Sequence, residues 1–269
     1  KKQANKSTVR FRSRLMFSSC FVSGFFILGM LGGLQPALGV TLMPGDILVA
    51  DAGLDAVFRV DPVTGDRTII SDPGMGTGTN FTSPRGITLD QSGNIIVSDR
   101  SVPAVFSVDP ATGNRTILSN SANGSGTNFI LPVTHKQDAS GNILVTDDSP
   151  SLEVLFSVAP LTGDRTILSG MGTGSGTAFD APHGLAVADN GDIFVADIAL
   201  DTIFRVDPVT GNRTIVSNAG TGSGTNFSNP FDIVIDDNGD LLVTDSVLDA
   251  VFRVDPDTGD RTIVSNSST

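Results

Sequence analysis

The chain has 269 residues, with 29 acidic against 17 basic side chains, a single cysteine, and neither tryptophan nor tyrosine. The acidic excess disfavours contact with nucleic acid or anionic lipid, and the missing large aromatics remove the usual stacking platform for sugars. Cys20 lies in an apolar run near the N-terminus, so disulfides, thiolate catalysis and Cys-ligated zinc are excluded from everything that follows it.

Residues 1–39 come first in chain order. Lys1, Lys2, Lys6, Arg10, Arg12 and Arg14 form a basic stretch, followed by an apolar run from Leu15 to Leu34 and then Gln35-Pro36-Ala37-Leu38-Gly39. Basic, apolar and small-residue regions in that order predict a secretory signal cleaved near Gly39. The apolar run is also just long enough for a retained membrane anchor. Either way the remainder is expected outside the cytoplasm, secreted or periplasmic, because the basic end stays inside. All 29 acidic residues but only 11 of the basic ones follow Gly39, a net charge of −18. Such a surface attracts cations, and it equally suits a soluble, aggregation-resistant domain.

Residues 40–269 form an internal repeat. The block Thr-Gly-(Asp/Asn)-Arg-Thr-Ile recurs at Gly65, Gly113, Gly163, Gly211 and Gly259, at intervals of 48, 50, 48 and 48 residues. Each copy predicts four short strands; in the second they are Gly86–Asp90, Asn94–Asp99, Ala104–Asp109 and Arg115–Ser119. In the first copy Val40-Thr41-Leu42 aligns with Ile87-Thr88-Leu89 and predicts a stunted first strand. In Asp61-Pro62-Val63-Thr64-Gly65, Pro62 pre-sets a turn, Asp61 caps it, and Gly65 takes positive φ as the fourth strand begins. No helical period separates the strands. An all-β repeat of this length, with four strands per copy, predicts a β-propeller of five four-stranded blades, or six if the chain is a fragment.

Pro84-Arg85-Gly86-Ile87, Gly93-Asn94-Ile95-Ile96-Val97-Ser98-Asp99 and Val105-Phe106-Ser107-Val108 resemble an NHL-type repeat. So do Pro182-His183-Gly184-Leu185, Asp192-Ile193-Phe194-Val195-Ala196-Asp197 and Ile203-Phe204-Arg205-Val206. NHL repeats are related to the blades of gluconolactonase-like (SMP-30) proteins. The resemblance spans residues 40–269 and implies the propeller fold, often with six blades. It leaves activity open, because such propellers serve as scaffolds, lactonases and lyases.

In a propeller the loops between strands two and three share one face with the blade linkers, and four sets of residues fall there. Asp51, Asp99, Asp147, Asp197 and Asp245 each end a second strand. They offer either a ring of carboxylates for calcium or another divalent cation or structural acceptors for loop N–H groups. Arg85, Val133, His183 and Phe231 each follow the proline that opens a blade and differ where their surroundings repeat, as ligand-facing positions would. Arg85 suits a carboxylate, and His183 suits a base or ligand role. His135 and Lys136 lie in the divergent third copy, which has a loop two residues longer and also holds Glu153; as polar residues on an innermost strand they are candidates to line a wet channel. Finally, Gly76-Thr77-Gly78-Thr79-Asn80-Phe81 and its counterparts read as blade linkers whose Phe plugs the seam. No Gly-Lys-Ser/Thr follows them, as a phosphate loop would require. Arg67, Arg115, Arg165, Arg213 and Arg261 lie on outermost strands, where charge guards exposed edges.

These features predict a non-catalytic binding scaffold whose partner, a small molecule or a protein, meets the channel face. The alternatives are a divalent-metal-dependent hydrolase of the lactonase type, which the resemblance implies, and a structural surface or matrix protein.

Overall fold

Alternating Val, Ile and Phe, broken by glycine turns, build five antiparallel blades in the computed structural model, which describes residues 40–267. The expected signal or anchor at 1–39 lies outside those residues. Blade 1 comprises β1 (Ile47–Asp51), β2 (Ala56–Val60) and β3 (Arg67–Ser71). Blade 2 comprises β4 (Pro84–Leu89), β5 (Ile95–Asp99), β6 (Ala104–Val108) and β7 (Arg115–Ser119). Blade 3 follows as β8 (Pro132–Gln137), β9 (Ile143–Asp147), β10 (Val154–Val158) and β11 (Arg165–Ser169). Blade 4 is β12 (Pro182–Val187), β13 (Ile193–Asp197), β14 (Thr202–Val206) and β15 (Arg213–Ser217). Blade 5 is β16 (Pro230–Ile235), β17 (Leu241–Asp245), β18 (Ala250–Val254) and β19 (Arg261–Ser265).

Every blade is an up-and-down meander in sequence order. The innermost strands β4, β8, β12 and β16 pack successively on one another, and β1 packs on β4. The first blade has three strands rather than four. Val40 and Leu42 pack against the core beside blade 2 without joining a sheet, because the Met43–Asp46 turn follows at once, closed by Asp46 N–H donating to Met43 O at 3.0 Å.

The turn before each outermost strand forms as its residues require. Asp61 Oδ1 accepts from Val63 and Thr64 N–H, and Gly65 sits at φ 76°. The Ala159 variant keeps the Gly163-to-Ala159 backbone bond without a side-chain cap.

Four apolar cores hold the structure, one in each seam between consecutive blades. In the first, Val57 and Ile70 of blade 1 meet Ile95, Val97, Phe106 and Val108 of blade 2, with the linker's Phe81 between them. Phe81 meets Phe106 edge-to-face with centroids 5.2 Å apart, and the other three seams repeat the pair as Phe129–Phe156, Phe179–Phe204 and Phe227–Phe252. The linker therefore plugs the seam, as its sequence implied. Gly76 takes φ 79°, and a Cβ there would lie 1.9 Å from Gly113 O of the next blade, so only glycine allows the two chains to close.

The repeated arginines depart from the edge-guard expectation. Arg115, Arg165, Arg213 and Arg261 are buried, each reaching back into the preceding blade's linker. Arg165 donates Nε–H to Thr127 O, its NH1 group to Ser119 Oγ, Asn120 O and Asn123 O, and its NH2 group to Asn128 Oδ1. Its guanidinium also lies 5.5 Å from the Phe129 ring centroid. A planar fork with five donors satisfies several carbonyls in one buried place, which no edge-solvating charge would do. These arginines clasp one blade to the next.

Candidate functional site

One end of the channel opens into a cavity of about 380 Å³ to which all five blades contribute, through Asp51, Arg85, Val133, His183, Phe231 and Asp232 among others. The four positions after the opening prolines are thus brought together. Arg85 is exposed at the rim, and no hydrogen bond or ion pair engages its guanidinium among the described residues.

The rings of His183 and Phe231 pack at a 42° tilt with centroids 4.0 Å apart, and Phe231 remains 40% exposed. His183 Nδ1 lies 2.9 Å from Phe231 O. A carbonyl only accepts, so Nδ1 carries the proton and Nε2 is left as an acceptor. Burial lowers the His183 pKa, which favours the neutral ring. Gly184 permits the close approach of the two strands, since a Cβ there would lie 2.7 Å from Asp232 Cα.

Three further charged residues act on His183 at this mouth and were not among the candidates that the sequence offered. The longer loop of blade 3 carries Asp148, which pairs with Arg100 of blade 2 at 2.7 Å. Both charges act on His183, as does that of Asp232. A signal existed: Arg100 and Asp148 each follow the repeated Asp, at a position filled by Ala52, Ile198 and Ser246 in the other copies. Glu153, by contrast, takes φ 48°, as Asp55, Asp201 and Asp249 do in their loops, and serves the turn.

His135 and Lys136, both expected to line a wet channel, are placed apart and neither lines the channel mouth. Alternation along β8 turns His135 into the seam with blade 2, where it is fully buried. Its Nε2 lies 2.9 Å from Thr88 Oγ1 and its Nδ1 3.3 Å from Ser98 Oγ. Ser98 Oγ–H already donates to Val133 O, so Ser98 accepts from Nδ1–H and Thr88 donates to Nε2. Burial, and secondarily the Lys136 charge, hold the His135 pKa down to about 3. Lys136 instead lines a separate cavity of about 980 Å³ with Asp189, Asp192, Asp236 and Arg205. It stands three residues along the strand from Val133, roughly 10 Å from the mouth.

The repeated aspartates are each occupied by backbone N–H groups of the neighbouring linker or loop. Asp197 is buried, and its carboxylate accepts from Asp180, Ala181, Ala199 and Leu200 N–H at 2.8–3.2 Å. Asp99 and Asp245 make the same four links, to linker and loop, and Asp147 makes three. Burial pushes the Asp147 and Asp197 carboxyls up in pKa, against the pull of those donors. Asp51, at the mouth, accepts from Gly53 and Leu54 and from no other donor among the described residues.

No protein-family model matches the sequence, and no curated protein matches it either. Solved structures do. A chain of a nidogen–laminin complex is similar over 78% of this chain and 70% of its own, at 19% identity and a TM-score of 0.60. A gluconolactonase of Xanthomonas campestris is similar over 81% and 71%, at 15% identity and 0.62. A catalytically inactive virginiamycin B lyase of Staphylococcus aureus, solved with quinupristin, is similar over 81% and 66%, at 14% identity and 0.60. The chain is a β-propeller of this structural kind. The resemblance to NHL-repeat and gluconolactonase-like propellers is thus one of fold, and these neighbours bind, hydrolyse or cleave different things.

A divalent ion is the group such a propeller's channel would hold if it worked as a lactonase does. The carboxylates present do not fit one. Four are taken up by backbone donors of linker and loop, and among the described residues no three His, Cys, Asp or Glu side chains converge. Calcium needs six to eight oxygens from one shell. The unfolding midpoint is accordingly expected to be equal in EDTA and in millimolar calcium. A rise with calcium that Asp197→Ala abolishes would place an ion on these carboxylates.

Proposed function

We propose that this propeller is a non-catalytic binding module, acting outside the cytoplasm, whose ligand enters the channel mouth. The observation that carries this reading is the convergence, in one cavity, of the positions that differ from blade to blade while their surroundings repeat. The chemistry on offer is a free guanidinium at Arg85, a half-exposed aromatic face at Phe231 and a neutral acceptor at His183 Nε2. It suits a small molecule or peptide end that carries an anionic group beside an apolar one.

Phenylacetate is a minimal probe of that chemistry. In ligand-observed NMR titrations, Arg85→Ala and Phe231→Ala are each expected to weaken its binding by roughly tenfold, the scale of one charge-assisted contact or one aromatic face. Binding indifferent to both changes would sink the reading. The second reading, a metal-dependent lactonase, draws support from the gluconolactonase among the structural neighbours. Hydrolysis of glucono-δ-lactone that stops in EDTA would replace the binding module with an enzyme.

A further inference from the structure

Among the described residues five blades make four seams, and the face of blade 1 that points away from blade 2 is a seam without its other half. Ile47 and Val49 on this face are 49% and 37% exposed, whereas their equivalents Ile95 and Val97 are fully buried. The corresponding trailing face of blade 5 is also open, with Val264 51% exposed. The innermost strand β16 makes no packing on blade 1 comparable to that between its neighbours.

The vacancies on blade 1 are chemically specific. In blades 2 to 5 the preceding linker meets three partners: the clasp arginine, a phenylalanine of the third strand, and the aspartate of the second strand. Blade 1 has all three partners, and no linker covers them among the described residues. Arg67 is exposed, and no hydrogen bond or ion pair engages its guanidinium among the described residues, whereas its four equivalents are buried. Phe58 is only half-buried and lacks the edge-to-face ring that Phe106, Phe156, Phe204 and Phe252 each have. Asp51 accepts from its own loop but lacks the two linker N–H groups that Asp99 receives from Thr82 and Ser83.

We infer that the leading face of blade 1 is a docking surface for a further copy of this same repeat, engaged through its Gly-(Ser/Thr)-Gly-Thr-Asn-Phe linker. One such segment fills all three vacancies at once: its carbonyls and Asn take Arg67, its Phe takes Phe58, and its next two N–H groups take Asp51. The four linkers within the chain cannot serve a second molecule, because each is already filled by its own blade's arginine. The partner is therefore an additional repeat, and a second copy of the same chain lacks a free one among its described residues.

A fluorescent peptide with the sequence of residues 216–230 supplies the linker in isolation. Anisotropy titration against the whole chain is expected to show saturable binding that weakens at least tenfold for Arg67→Ala. The same loss is expected for a peptide with Asn226 and Phe227 both replaced by alanine. Arg67 is exposed, so the variant should fold normally, and its unfolding midpoint verifies this. Absence of saturation at millimolar peptide, or binding equal in the two proteins, overturns the inference. So does light scattering that shows the chain already paired with itself in an Arg67-dependent dimer, since the face would then belong to a second copy.

Discussion

Replacing Arg165 by alanine is expected to lower the unfolding midpoint by roughly 10 °C, while the same change at Arg67 leaves it within about a degree. Arg165 is 3% exposed and places four hydrogen bonds into the linker before its blade and another on Ser119 at the end of β7. Its removal leaves Ser119 Oγ and the carbonyls of Thr127, Asn120 and Asn123 without their charged donor. Stranding buried groups of this kind costs about 3–5 kcal/mol, and a domain of this size loses roughly 2–4 °C per kcal/mol. Arg165→Lys should recover only part of the loss, since an ammonium cannot reproduce a planar fork. Arg67 has the same neighbours in sequence but is exposed, with no linker folded over it among the described residues, and an exposed substitution stays within about 0.5 kcal/mol. Differential scanning calorimetry of the three variants decides the matter. Equal effects at Arg67 and Arg165 would mean that the clasp contributes nothing specific.

The second large effect is on pH. As pH falls from 6.5 to 4.5 the chain is expected to lose about 2–3 kcal/mol through His135 alone. The folded protein keeps this ring neutral down to about 3, whereas the ordinary value is 6.5. Unfolded chains therefore take up a proton that the folded one refuses, so the stability is fully present above pH 6.5 and drains as pH falls towards 3. His183, lowered by burial as well, adds in the same direction. Asp147 and Asp197 work oppositely, because their raised values let the folded state take up protons first as pH falls towards 3.8. Urea midpoints of wild type and His135→Gln across this range separate the contributions. The variant should show a flatter profile, whatever its stability at neutral pH. Parallel profiles would show that His135 does not titrate with unfolding.

The fold was written in the repeat. Five Thr-Gly-(Asp/Asn)-Arg-Thr-Ile blocks at near-constant spacing, with period-two apolar strands and Asp-Pro turns between them, leave few ways to bury one face except as blades. The plugging role of Phe81 and its equivalents was legible too, because a lone aromatic in a glycine-rich linker has no other use. The variable mouth positions could be recognised by contrast with what repeats, which located Arg85, His183 and Phe231 together.

What the sequence left open all concerns contacts between blades. Local spacing puts Arg165 on an outermost strand but does not reveal that the preceding linker folds over it, so an apparent edge charge proved to be a buried clasp. Alternation along β8 separates His135 from Lys136 by a half-turn of the pleat, and only the neighbouring blade decides that His135 faces Thr88 and Ser98 instead of water. The pairing of Arg100 with Asp148 likewise joins residues 48 positions apart in sequence. Strand and turn propensities act within a few residues, and these determined the blade. Which polar groups meet across a seam depends on the angle at which one blade stacks on the next, and that is settled only by packing in three dimensions.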